Sequence, residues 1–160
     1  MDLEDPGANS PSTFKFNVKR WTQNDRIVAG ATLVLFISLF LPWFGWSSVV
    51  FSVSVDGLWH GYMYIPLLIC LLVLAYFLAK AGWDELPLKL PLPEAQLLTI
   101  ANGINFVLTF ISFITKPAFT SWQFGAYIGL IASIVAVAPG IVSALTAGRG
   151  KAASGPERRA

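Results

Sequence analysis

Four long apolar stretches, separated by short polar segments, dominate the pattern along the chain. They run over about residues 27–44, 62–78 (extendable to 81), 95–115 and 124–147. They are about 17 to 24 residues long, which is the length that a helix needs to cross a hydrocarbon core about 30 Å thick. Because lipid cannot hydrogen-bond a polypeptide backbone, each stretch should be helical. The pattern predicts an all-α membrane protein with four transmembrane helices.

A sequence motif recurs in the second half of the chain. The pattern W-x4-Y-I-x-L begins at Trp59 and again at Trp122, and each copy opens a long apolar stretch. A Phe-Ile-Ser triplet begins at Phe36 and again at Phe110, in the stretch that precedes each copy. This internal repeat predicts two duplicated hairpins, related by a pseudo-two-fold axis along the membrane normal.

The apolar stretches divide the chain into a transmembrane domain with a polar tail on either side. Thr22 and Asp25 fit a capping box that begins the first helix. The predicted segments are a disordered or interfacial tail (1–24), the transmembrane domain (25–148) with its first hairpin (25–82), outer cap (45–60), inner loop (83–94) and second hairpin (95–148), and a flexible basic tail (149–160).

The outer cap carries a different pattern. Apolar and polar residues alternate over residues 51–55, a period of two that is typical of a β-strand. The pair Asp56-Gly57 that follows favours a tight turn. We expect a small extracytoplasmic β-like cap in which this strand turns back towards Trp59.

Composition and charge agree with a membrane protein and indicate its orientation. Hydrophobic residues make up 55% of the chain and charged residues 12%, whereas soluble domains are about a quarter charged. Apart from Lys116, every lysine and arginine lies near the termini or near the inner loop. The positive-inside rule then predicts a bacterial cell (inner) membrane protein with both termini cytoplasmic. Acidic residues offset the basic ones of the first tail, so nucleic-acid binding is not expected.

Few residues of the chain are suited to catalysis within a membrane. The apolar stretches contain no Asp, Glu, Arg or His, the groups that mark ion and proton paths, and Lys80 lies at an end where it can snorkel. Cys70 and His60 are the single cysteine and the single histidine. The chain alone therefore cannot form an internal disulfide or a bis-histidine haem site. We expect no catalytic residue, no metal and no cofactor, and thus no enzyme.

The third stretch carries a polar face. Asn102 and Asn105 are three residues apart, and Thr109 lies one helical turn further on. One interpretation is a set of hydrogen bonds between helices. The other is a candidate polar pocket or permeation face.

The fourth stretch carries two rows of small residues at four-residue spacing. Small residues at this spacing let helix backbones approach closely. The candidate packing or partner-binding residues are Gly125, Gly129, Ser133, Ala132, Ala136 and Gly140. They fit packing within the bundle or, alternatively, self-association or docking on the helix of another protein.

Aromatic residues cluster on the predicted outer side of the membrane. They include Trp43, Trp46, Trp59, Tyr64, Trp122 and Tyr127. An interfacial aromatic belt explains such residues. The alternative is a recognition surface for an acyl chain, a sugar or a partner protein.

Two motifs flank the first predicted helix. Asp25-Arg26-Ile27 begins it, and Leu-Phe-Ile-Ser-Leu-Phe-Leu-Pro-Trp-Phe at residues 35–44 ends it. In these motifs the chain resembles small four-span membrane proteins that are common in actinobacteria, and the likeness covers mainly the first hairpin. The resemblance implies a four-span topology. It implies no catalytic or binding residue, because that group has no established activity.

These observations favour a non-catalytic accessory or assembly subunit, or a scaffold, that binds other membrane proteins through its transmembrane helix faces. The alternative is an oligomeric channel or carrier for a lipid or small neutral solute, with Asn102 and Asn105 as its polar face. The expected partners are the lipid bilayer and either another membrane protein or a second copy of the chain.

Overall fold

A computed structural model describes residues 18–48, 50–82 and 92–153. Within these residues the chain forms helices α1 (Gln23–Ser38), α2 (Tyr64–Gly82), α3 (Glu94–Ile114) and α4 (Phe124–Ala153), and strands β1 (Pro42–Ser47), β2 (Ser52–Asp56) and β3 (Ser121–Trp122). Short 3-10 turns span Val18–Arg20, Gly57–Trp59 and Gly61–Met63. Most of the predicted inner loop, and most of both predicted tails, lie outside the described residues.

Among the described helices, three are long and apolar enough to cross a membrane. The candidate spans are Gly61–Gly82, Glu94–Ile114 and Phe124–Arg149, by length and composition. They are compatible with an integral membrane protein, as the apolar pattern predicted. Helix α1 has 16 residues. At 1.5 Å per residue it is about 24 Å long, shorter than a hydrocarbon core of about 30 Å, so the fourth predicted span is not confirmed.

Helix α1 ends earlier than the apolar stretch 27–44 predicted. Its last residue is Ser38, and the chain then turns into β1. Proline at position 42 disfavours a helical conformation for the residue before it. The indole Nε1 of Trp43 folds back and donates a hydrogen bond to the Ser38 carbonyl oxygen at 2.7 Å. The sequence predicted that this helix ends at Pro42-Trp43, and that prediction was therefore wrong.

The start of α1 agrees with the predicted capping box. The Thr22 amide donates to Asp25 Oδ2 at 2.9 Å, and the Asp25 amide donates to Thr22 Oγ1 at 3.2 Å. This reciprocal pair satisfies two amides at the helix terminus. At the other end of the chain, α4 continues to Ala153, beyond the predicted domain boundary at residue 148.

The four helices close into a ring. Helix α1 contacts α2 and α4, and α3 contacts the same two helices. The outward surface carries apolar side chains such as Leu68, Leu72 and Ile131, which are more than half exposed, whereas several polar side chains are fully buried. This arrangement reverses that of a soluble bundle, and it suits a protein surrounded by lipid.

The three strands form an antiparallel sheet in the order β2-β1-β3. In β1, Phe44 lies opposite Val55 of β2 and opposite Trp122 of β3. Phe44 is fully buried and packs in a core cluster with Leu39 and Met63. The sheet is therefore joined to one end of the helical ring, which we call the sheet end.

The cap differs from its prediction in how the strands pair. The alternating pattern predicted β2 correctly, but the partner of β2 is β1 rather than the segment that follows it. Asp56 does not begin a hairpin turn. Its side chain accepts a hydrogen bond from the Leu58 amide at 3.1 Å and caps the 3-10 turn Gly57–Trp59. Strand β3 was not predicted, because two residues are too few to show a period.

Candidate functional site

Helix α3 carries a row of buried polar side chains that faces the interior of the ring. The row consists of Asn102, Asn105, Thr109 and Ser112, here called the polar column, and each is at most 1% exposed. Their spacing of three or four residues places them on one face of the helix. The structure thus brings the three predicted pocket residues together inside a single chain, and Ser112 extends the row.

The two asparagines bond to other backbone and side-chain groups. Asn102 Oδ1 accepts a hydrogen bond from Thr32 Oγ1 of α1 at 3.4 Å, and Asn102 Nδ2 donates to the Leu98 carbonyl at 3.0 Å. Asn105 Nδ2 donates to Cys70 Sγ of α2 at 3.6 Å. The contacts to Thr32 and Cys70 link three helices. Such bonds contribute about 0.6 to 2 kcal/mol each in a membrane.

Two atoms at the middle of the polar column have no partner among the described residues. They are Asn105 Oδ1 and Thr109 Oγ1, and both are buried. Their residues lie one helical turn apart on the same face of α3. Buried polar atoms in folded proteins nearly always bond to another group or to ordered water. The centre of the column therefore has hydrogen-bonding capacity that the described side chains do not use.

The polar column ends beside His60 at the sheet end. Ser112 Oγ lies 3.2 Å from His60 Nδ1, within hydrogen-bond distance. The imidazole stacks on the Tyr62 ring at 5.3 Å and meets the Phe44 ring edge-on at 5.6 Å, measured between ring centroids. These contacts hold the imidazole with one nitrogen directed at the column.

Three charged side chains from three helices meet at the opposite end of the ring, which we call the ion-pair end. Lys80 Nζ of α2 lies 2.9 Å from Asp25 Oδ2 of α1 and also bonds to the Glu94 carboxylate of α3. Burial by itself would raise the pKa of Asp25. Hydrogen bonds from Lys80 and from the Thr22 amide outweigh this effect and hold the pKa of Asp25 below its usual value. One ammonium group thus forms ion pairs with two carboxylates.

This cluster was not predicted from the sequence, in which Lys80 fits a snorkelling residue and Asp25 fits a capping residue. The available signal was position, because Asp25, Lys80 and Glu94 each lie near a helix terminus and all three termini were predicted on the same side of the membrane. Opposite charges at neighbouring helix ends favour an ion pair.

A narrow cavity leads from the ion-pair end to the polar column. Its volume is about 70 Å³, and it lies between α1, α3 and α4. Its lining includes the side chains of Asp25, Thr99, Asn102 and Ser143. The cavity therefore connects a charged carboxylate near one end of the ring with the first residue of the polar column.

The small residues of α4 pack against other segments of the same chain. A Cβ atom on Gly129 would lie 2.6 Å from Trp43 Cζ2 and 2.8 Å from Ser38 Oγ. A Cβ atom on Gly125 would lie 2.5 Å from the Pro42 carbonyl oxygen. These distances are shorter than any carbon side chain tolerates, so both glycines are needed where α4 crosses the end of α1.

The other predicted packing residues are also occupied within the ring. A Cβ atom on Gly140 would lie 2.1 Å from Thr99 Oγ1 of α3. The side chains of Ala132, Ser133 and Ala136 are buried. Packing within the bundle therefore accounts for this set, and a partner that binds α4 would have to contact a different part of the helix.

The predicted aromatic surface divides into one buried residue and five exposed ones. Trp43 is fully buried, since Gly57, Gly125 and Gly129 leave room for its indole. The exposed members are Trp46, Trp59, Tyr64, Trp122 and Tyr127, which are between 40% and 62% exposed. The placement of Trp43 on an outer surface was therefore wrong.

Neither metal coordination nor a known relative identifies the site. Among the described residues, no group of three or more His, Cys, Asp or Glu side chains could hold a metal ion. Comparison of the chain with family models, curated proteins and solved structures finds no match.

Proposed function

We propose that the protein is a non-catalytic accessory subunit that binds a helix of another membrane protein through the last part of α4. The observation that supports this proposal is the exposure of α4 beyond Gly140. From Ile141 to Arg149 every residue is exposed. The apolar side chains of Ile141, Val142 and Leu145 are among them, at 48%, 59% and 63% exposure. An apolar helix segment that the described residues leave exposed is suited to a partner helix.

A groove beside this segment offers a surface on which a partner helix can pack. It has a volume of about 350 Å³ and lies between the first turns of α3 and the last part of α4. Its lining includes Gln96, Ile100, Ala144 and Ala147. Small residues such as Ala144 and Ala147 allow a second helix to approach closely. The groove favours a helix with one apolar face as the occupant.

The positions of basic residues indicate on which side of the membrane this binding surface lies. Arg149 and Lys151 follow the groove residues in α4, and Lys80 lies at the ion-pair end. We place this end of the protein in the cytoplasmic half of a bacterial cell membrane, because lysine and arginine concentrate on the cytoplasmic side. The partner surface would then lie at the cytoplasmic membrane boundary.

Substitution of Ala144 tests the proposed surface. Leucine at this exposed position would fill the groove without disturbing the ring, so we expect Ala144→Leu to reduce the amount of co-purified partner at least about ten-fold. The measurement is native mass spectrometry of the tagged chain, purified from its own membrane in a mild detergent.

The matched control is Ile134→Leu, an exposed position on α4 outside the groove, which should retain the partner. Wild-type protein without any stoichiometric partner would contradict the proposal. Equal partner recovery with Ala144→Leu and Ile134→Leu would contradict the assignment of the groove.

A further inference from the structure

We propose that the polar column is a hydrated path that carries protons through the ring of helices, between His60 at the sheet end and the cavity at the ion-pair end. This activity goes beyond the accessory role. The cavity at the ion-pair end borders the groove on α4, because Thr99 and Ser143 line both. The activity also differs from the predicted oligomeric channel, because the polar residues lie inside one chain rather than between copies.

The unpaired atoms at the centre of the column are the first support. Asn105 Oδ1 and Thr109 Oγ1 are buried and have no hydrogen-bond partner in the described part of the chain, and they lie on the same face of α3. An internal water molecule needs two or more polar partners. The pair supplies them, because the amide oxygen accepts a hydrogen bond and the hydroxyl can both donate and accept. We place a bridging water at this position.

The cavity at the ion-pair end continues the path. It reaches Asn102 from Asp25, and its volume of about 70 Å³ is enough for a few water molecules. Thr99 and Ser143 add hydroxyl groups to its lining. Water in this cavity would therefore be hydrogen-bonded at one end to the polar column and at the other to a charged carboxylate.

His60 supplies a proton carrier at the sheet end. Its Nδ1 lies 3.2 Å from Ser112 Oγ, while the Tyr62 ring stacks on the imidazole and the Phe44 ring meets it edge-on. Histidine can take up a proton on one ring nitrogen and release a proton from the other. Ser112 is the next polar group towards Thr109 on the same face of α3.

The transfer balances at each step. A proton binds His60 at the ring nitrogen remote from the column, and the proton on Nδ1 passes to Ser112 Oγ. The hydroxyl proton of Ser112 moves on to water beside Thr109. Each group then has its starting number of protons, with the His60 proton now on Nε2. Release of this proton to water and uptake of another at Nδ1 restore the starting tautomer for the next transfer. The amides of Asn102 and Asn105 hold water and do not carry the proton themselves. The proton leaves through the cavity beside Asp25, in the direction that the applied gradient favours.

Proton flux into liposomes tests the path. The full chain is reconstituted with a pH-sensitive dye inside, and a potassium gradient with valinomycin provides the driving voltage. Wild-type protein should acidify the lumen faster than protein-free liposomes. Thr109→Val keeps the shape of the side chain and removes its hydroxyl, so we expect the flux to fall at least about ten-fold. Thr109→Ser should restore it.

Two further variants keep the test decisive. Ser133→Ala removes a buried hydroxyl that bonds to the Leu130 carbonyl on α4, outside the path, and should conduct like wild type. His60→Phe keeps a stacked ring without a proton carrier and should lose the flux. Wild-type flux equal to that of protein-free liposomes would overturn the proposal. So would wild-type flux in a monodisperse sample of either Thr109→Val or His60→Phe.

Discussion

Gly129→Ala destabilises the helical ring by about 1–3 kcal/mol, the usual cost of an extra methyl group in a well-packed core. The added carbon would lie 2.6 Å from Trp43 Cζ2 and 2.8 Å from Ser38 Oγ. Gly57 limits the room for Trp43 to move, because it lies so close to the indole that a Cβ atom there would be 2.7 Å away. The measurement is thermal unfolding in detergent, followed by tryptophan fluorescence.

The matched control is Gly103→Ala on α3, where an added Cβ atom meets nothing within 4 Å. Alanine is the better helix former by about 1 kcal/mol, so this variant should be slightly stabilised. The two identical substitutions are expected to act in opposite directions. A Gly129→Ala variant as stable as Gly103→Ala would show that α4 does not pack on Trp43.

A larger substitution at the same position cannot separate partner binding from stability. Gly129→Leu would disturb the packing of α4 on α1 and on Trp43 within the chain. Loss of a partner in such a variant would then follow from a damaged fold. Ala144, which lies in the groove and is exposed, is the position that separates partner binding from stability.

Lys80→Met should destabilise the association of α1, α2 and α3. The ammonium group bonds to both Asp25 and Glu94, and its removal leaves two carboxylates close together without the cation that bridges them. Breaking a fully buried ion pair costs about 3–5 kcal/mol. The side chains here are 19%, 11% and 37% exposed for Lys80, Asp25 and Glu94, so screening by water reduces the expected loss to about 1–3 kcal/mol.

Neutralising the carboxylates provides the control for this variant. The triple variant Lys80→Met, Asp25→Asn, Glu94→Gln removes the repulsion and should recover part of the stability lost by Lys80→Met alone. Both are compared with wild type by thermal unfolding in the same detergent. A Lys80→Met variant within about 0.5 kcal/mol of wild type would mean that the ion-pair cluster does not hold the three helices together.

Local patterns in the sequence predicted the features that depend on neighbours in the chain. The apolar stretches predicted α2, α3 and α4, since a helix needs only a long apolar run to satisfy its backbone in lipid. Alternation over residues 51–55 predicted β2. The three- and four-residue spacing of Asn102, Asn105 and Thr109 predicted a shared polar face, because helical periodicity is itself local.

Features that join distant segments were decided by the tertiary structure alone. Trp43 fits an interfacial helix end by its sequence, but Gly57, Gly125 and Gly129 come from separate segments and together leave room to bury it. That burial, with the hydrogen bond to Ser38, ends α1 before the apolar stretch ends. The contact between Lys80 and Glu94 likewise depends on how α2 packs beside α3. A single sequence carries periodicity and helix-end signals, whereas the contacts between elements depend on how the helices pack, and here they decide which residues face the polar column, the cavity and the groove.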